Sequence, residues 1–153
     1  MIIKFIFPPE SSGIIWFVEF ENIKLGVSPD CGWLIDFKDD IKPIVNPKNM
    51  IFLLPLLEIG RQKIYDHLAE LAKVRKDVDV VGTFPESMLL KCAFEHSVSD
   101  YWPIEGLKWL ELSPYQLTGS LKDTLTELQK RSWATQPLKQ KIKFVLKRHQ
   151  VSA

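Results

Sequence analysis

An α+β fold is what the sequence predicts: a small N-terminal antiparallel sheet of three to four strands, followed by a packed array of four to six helices. Three observations carry this expectation. The first forty residues hold runs of β-branched and aromatic residues bounded by turn formers. After the "NPKN" segment the apolar residues recur every three or four positions. The links between the periodic segments are short, so neighbouring elements must pack on one another. The 153 residues suit a single domain, with a β-rich part over 1–48 and a helical part over 49–153.

Element by element, "IIKFIF" and "GIIWFVEF" read as strands. Glu21-Asn22 can turn between Phe20 and "IKLGV", giving a hairpin. "SPDCG" is a second turn, and "WLIDF" a strand after it. Residues 50–60, "MIFLLPLLEIG", are the most apolar run, too short to cross a bilayer and interrupted by Pro55. They form a helix or the buried approach to one. Over 59–74, Ile64, Leu68 and Leu71 share one helical stripe, which Val74 can extend. "VRKDVDVVGTFPE" is a polar link with an apolar centre, and 86–96 is a short helix opened by Pro85.

The segment "SVSDYWPIEGLKWLEL" forms the next helix. Ser99 is its expected N-cap, Asp100 favours its positive end, and Pro103 falls in the first turn. Trp102, Leu107 or Ile104, Trp109 and Leu110 cover more than one face, the pattern of a helix buried on more than one side. Tyr101, Trp102 and Trp109 are therefore assigned to the core. "GSLKDTLTELQKRSW" places Leu121, Leu125 and Leu128 on a stripe, with Ser120 as cap. In "TQPLKQKIKFVLKRHQ", Thr135 caps, and Leu138, Ile142, Val145 and Leu146 form the apolar face.

The totals exclude several classes. Hydrophobic residues are 46% and charged residues 25%, and the net charge is +1, which offers no general attraction to nucleic acid or membranes. The apolar start breaks at Pro8 and Pro9, so a secretory leader is not expected. Cys31 and Cys92 lack partners at metal spacing and read as reduced thiols of a cytoplasmic protein.

His67, His96 and His149 share no metal-ligand spacing with one another or with a cysteine, and His67 is placed on the surface. The grouping of Cys92, Glu95, His96 and Asp100 is the one hint of nucleophilic chemistry. Cys92 follows "MLLK" on an apolar face, where a thiol is buried and inert. Phosphate-binding glycine loops and a Gly-x-Ser-x-Gly context do not occur. "DFKDD" (36–40) lacks the further oxygen ligands of a calcium loop and reads as a solvated turn. Accordingly no catalytic residue, metal ligand or cofactor is assigned.

Charge distribution says more than any motif. Residues 1–40 hold seven acids (Glu10, Glu19, Glu21, Asp30, Asp36, Asp39, Asp40) against three bases (Lys4, Lys24, Lys38). The last helix holds Lys139, Lys141, Lys143, Lys147 and Arg148 with no acid. Such a helix can serve a nucleic-acid-binding accessory protein. Read as a charge set without interleaved aromatics, it is a weak nucleic-acid signal.

"SDYWPIEGLKWLE", the leucine-striped helix after it and the closing "TQPLKQKIKFVLKRH" resemble the ends of small bacterial immunity proteins. These accompany polymorphic toxins of the contact-dependent growth inhibition and Rhs types. "GIIWFVEFENIKLGVSPDCGWLIDFKDD" is similar to their β-meander, with Gly32-Trp33-Leu34 leading to Asp36. The resemblance implies stoichiometric binding of a cognate toxin domain, for instance a nuclease with a basic cleft, with no membrane partner. Nucleic acid is the less expected partner. On charge, the contact residues are expected at the acidic end: Glu19, Glu21, Asp36, Asp39 and Asp40, with Trp33 as a partly exposed aromatic anchor.

Overall fold

The computed structural model describes residues 3–6, 13–113 and 117–150, and the protein is α+β. Among the described residues, five strands form one antiparallel sheet in chain order: β1 (Lys4–Phe5), β2 (Ile15–Phe20), β3 (Ile23–Ser28), β4 (Gly32–Phe37) and β5 (Asp40–Pro43). Seven described helices follow: α1 (Leu56–Ile59), α2 (Arg61–Val74), α3 (Val80–Thr83), α4 (Glu86–Glu95), α5 (Tyr101–Leu112), α6 (Gly119–Gln129) and α7 (Gln136–Gln150). A 3-10 run, Pro47–Leu53, precedes α1. The strand count exceeds the expected three to four because "DIKP" adds a fifth strand after the Lys38-Asp39 turn. Ile2 and Phe7, the outer residues of the first expected strand, lie outside the described residues, as does Glu10.

Two compact units divide the chain, and the division does not fall at residue 48. The first comprises 1–52 and 62–85, so it takes nearly all of α2 together with the sheet. The second comprises 53–61 and 86–153.

In the first unit the sheet is set by alternation. Ile23, Leu25 and Val27 of β3 stand on one face, in register with Phe20, Val18 and Ile15 of β2 and with Phe37, Ile35 and Trp33 of β4. Lys24 and Gly26 stand on the other. A bulge interrupts β2: Trp16 pairs with Gly26 and Val18 with Leu25, which leaves Phe17 as the extra residue. The bulge frees the Phe17 carbonyl, which accepts from the Ile6 N–H (3.1 Å) and from His67 Nε2 (3.0 Å). The His67 ring is stacked on Phe17 and tilted against Phe5, with centroids 5.1 and 4.6 Å away. His67 is thus half-buried rather than on the surface, and burial lowers its pKa. Gly26 is required where it stands, since a Cβ there would lie 2.6 Å from Trp16 Cε3.

In the second unit α4 packs on α5 and α6, α7 packs on α5 and α6, and α1 lies against α5. Leu89, Leu90, Leu107, Leu121, Leu125, Leu128, Leu138, Ile142 and Val145 fill the interior, as their three- and four-residue spacing predicts. Trp109 is 1% exposed, and its Nε1 donates to the Leu57 carbonyl at 3.0 Å. Its neighbours depart from expectation. Tyr101 is 50% exposed, with its hydroxyl donating to Glu58 Oε2, and Trp102 is intermediate, edge-on to Tyr101. Both sit in the first turn of α5, where fewer helical neighbours surround a side chain. Thr118, not Ser120, caps α6 through the Leu121 N–H. Ser99 does not cap α5 either. Asp100 holds the N-cap position, and its Oδ2 accepts from Thr135 Oγ1 at 2.9 Å. Arg61 and Glu86 form a bidentate pair (2.6 and 3.2 Å) with both side chains largely buried.

Candidate functional site: the acidic hairpin end of the sheet

Two hairpin turns of the sheet, Glu21-Asn22 and Lys38-Asp39, emerge at the same end, because Ile23 of β3 pairs with both Phe20 and Phe37, whereas the turn between Ser28 and Gly32 lies at the other. The Lys38 N–H donates to the Asn22 carbonyl at 3.0 Å and ties one turn to the other. Glu21, Lys38 and Asp39 all adopt positive φ (53°, 51° and 67°), a conformation that favours glycine or asparagine.

Beside these turns one face of the sheet carries a row of alternating charge across four strands. Lys4 opposes Glu19, Glu19 opposes Lys24, and Lys24 opposes Asp36. The next residue across, on β5, is Ile41. Lys24 Nζ lies 3.6 Å from Glu19 Oε2 and 5.5 Å from the Trp16 ring centroid, so it is drawn toward β2. Asp36 is left at the end of the row. Its Oδ1 is buried and has no hydrogen-bond partner among the described residues, a costly state for a carboxylate oxygen.

A cleft of about 230 Å³ opens here, lined by Glu19, Glu21, Asn22, Ile23, Lys24, Asp36, Lys38 and Asp39. Four carboxylates face two ammonium groups, and each ammonium also lies over an aromatic ring, Lys38 at 5.4 Å from Phe37. The net field is negative. Four of the six residues expected as contacts are thereby brought together: Glu19, Glu21, Asp36 and Asp39.

The other two are not. Trp33 is 7% exposed rather than partly open. Its Nε1 donates to Thr83 Oγ1 at 3.1 Å, and its ring packs edge-on against Phe17 and Phe84. The reason is parity: three positions separate Trp33 from Asp36, so they point to opposite faces of β4. Asp40 opposes Phe37 across the hairpin and shares its face, where it pairs with Lys42 at 3.4 Å. The "DFKDD" segment is the end of one strand, a turn and the start of the next, not a turn throughout.

Elsewhere, Cys92 is fully buried, and burial with the nearby Glu95 charge pushes its thiol up to about 12. Among the described residues no group of three or more His, Cys, Asp or Glu side chains is arranged to hold a metal ion. No described helix is long and apolar enough to cross a membrane.

Phe144 belongs to no apolar stripe that the sequence predicts. It is 61% exposed, and it stands in α7 among the cations of the solvent-facing side. The signal was present in the sequence: Phe144 lies two residues beyond Ile142, off the stripe made by Leu138, Ile142 and Val145.

Compared with known proteins, the chain matches no protein-family profile, no curated protein and no solved structure.

Proposed function

We propose that the protein acts as an immunity protein, neutralising a cognate bacterial toxin domain by stoichiometric binding through the acidic hairpin end of its sheet. The observation that supports this most is Asp36. A buried carboxylate oxygen without a donor, at the mouth of a negative cleft, matches a surface completed by a cationic side chain from a partner. The two tied turns hold Glu21 and Asp39 beside it, which suits fast, charge-steered capture of a basic toxin surface. The family resemblance points to the same kind of partner. On this reading the protein works in the cytoplasm, where Cys31 and Cys92 stay reduced.

The test is co-expression. The C-terminal domain of the protein encoded immediately upstream in the source genome is induced with and without this protein, and surviving colonies are counted. Rescue with recovery of a one-to-one complex supports the proposal. Toxicity without rescue, or a rescued culture that yields no complex, contradicts it.

A further inference from the structure

The solvent face of α7 has a composition that a merely wet helix does not need. At 100° per residue, Phe144 lies roughly 160° around the axis from the fully buried Ile142, which puts it on the outer face. Lys141, Lys147 and Arg148 are three or four positions from it and so are its nearest helical neighbours. Lys143 lies on the same outward side. The helix contains no acidic residue, and among the described residues no carboxylate lies within 4 Å of its lysines. Arg148 is held in place by a 3.3 Å bond from Nη1 to the Glu111 carbonyl. Lys122 of α6 lies near enough to His149 to help lower its pKa, so the positive field extends beyond α7.

We propose that this face binds single-stranded nucleic acid, with a base stacked on Phe144 and phosphates met by Lys141, Lys143 and Lys147. The chemistry favours this occupant over two others. A basic helix on a membrane needs a free apolar face to insert, and here Leu138, Ile142 and Val145 are spent on packing. An acidic protein would be served by the lysines alone. A flat ring exposed at the centre of the cations is what a base requires, since every base offers a π-face for stacking. The inference does not depend on the toxin-binding reading and uses a different surface.

The experiment is fluorescence anisotropy of the whole protein with a fluorescein-labelled 12-nucleotide oligouridylate, from 25 to 200 mM salt. Oligouridylate should bind with a log–log salt slope of about −2, since each phosphate contacted on a single strand contributes about −0.7. Phe144→Ala should weaken binding by about 5- to 100-fold at unchanged Tm, and Phe144→Trp should restore it. Lys141→Ala/Lys147→Ala should make the slope shallower by one or more. Absence of binding at 25 mM salt overturns the proposal. So does equal binding by Phe144→Ala, or tighter binding of polyglutamate or of phosphatidylserine vesicles than of the oligonucleotide.

Discussion

The Lys38 N–H and the Asn22 carbonyl, 3.0 Å apart, join the two hairpin turns that frame the acidic cleft. Both residues of the second turn, Lys38 and Asp39, occupy left-handed backbone conformations that cost roughly 1–2 kcal/mol each in an ordinary side-chain-bearing residue. Side chains are kept there although Asn-Gly would fit the turn better. Replacing them with Lys38→Asn/Asp39→Gly should raise stability by about 1 kcal/mol, read as a higher denaturant midpoint at unchanged slope. A lower midpoint would contradict the strain assigned to this turn.

Trp109 holds the second unit through both its ring and its indole N–H. Trp109→Ala should lower stability by about 3–5 kcal/mol, from lost burial and the cavity left behind. Trp109→Phe should lower it by less, chiefly because the Leu57 carbonyl loses its donor. Chemical denaturation followed by circular dichroism separates the two. Equal losses would contradict the contribution assigned to burial of the ring.

Acid should destabilise the fold through two histidines. His67 is depressed by burial; its Nε2 donates to the Phe17 carbonyl. His149 is depressed by burial and by the Arg148 and Lys122 charges, and its Nδ1 accepts from the Leu117 N–H. In both cases the folded pKa lies below the unfolded value of about 6.5, so the unfolded chain binds more protons. Their contribution is fully present above pH 6.5 and is lost as pH falls through the folded values. The Tm of His67→Gln should therefore fall less between pH 7 and pH 5 than that of the parent protein. An identical or steeper fall would contradict the assignment.

The two thiols should differ. Cys31 is exposed and should react with a thiol reagent at pH 8 in the native protein. Cys92, with its pKa pushed up to about 12, should react only after denaturant is added. Native titration of two thiols would show that α4 opens readily.

The sequence made the elements legible because their cues are local. Ile64, Leu68 and Leu71 repeat every three or four residues, Thr135 caps α7 as expected, and Trp109 is buried where its stripe put it. What it obscured lies in register and in distant pairing. Trp33 and Asp40 were grouped with Asp36 by proximity in the chain, yet strand parity turns both away from it. The fifth strand is hidden because Lys38-Asp39 lacks the glycine or asparagine that announces a tight hairpin. Arg61 and Glu86 sit 25 positions apart, and no local pattern pairs them.

The most direct test of the account is the affinity of the proposed partner, the toxin domain identified by co-expression, for the protein and two of its variants, measured by isothermal titration calorimetry. Glu21→Lys/Asp39→Lys changes two exposed turn residues in the cleft, whereas Asp40→Lys changes the same charge on the opposite face. The account predicts at least a tenfold loss for the first and near-parent affinity for the second. Parent-like binding by Glu21→Lys/Asp39→Lys, or an equal loss from Asp40→Lys, would contradict the acidic hairpin end as the toxin-binding surface.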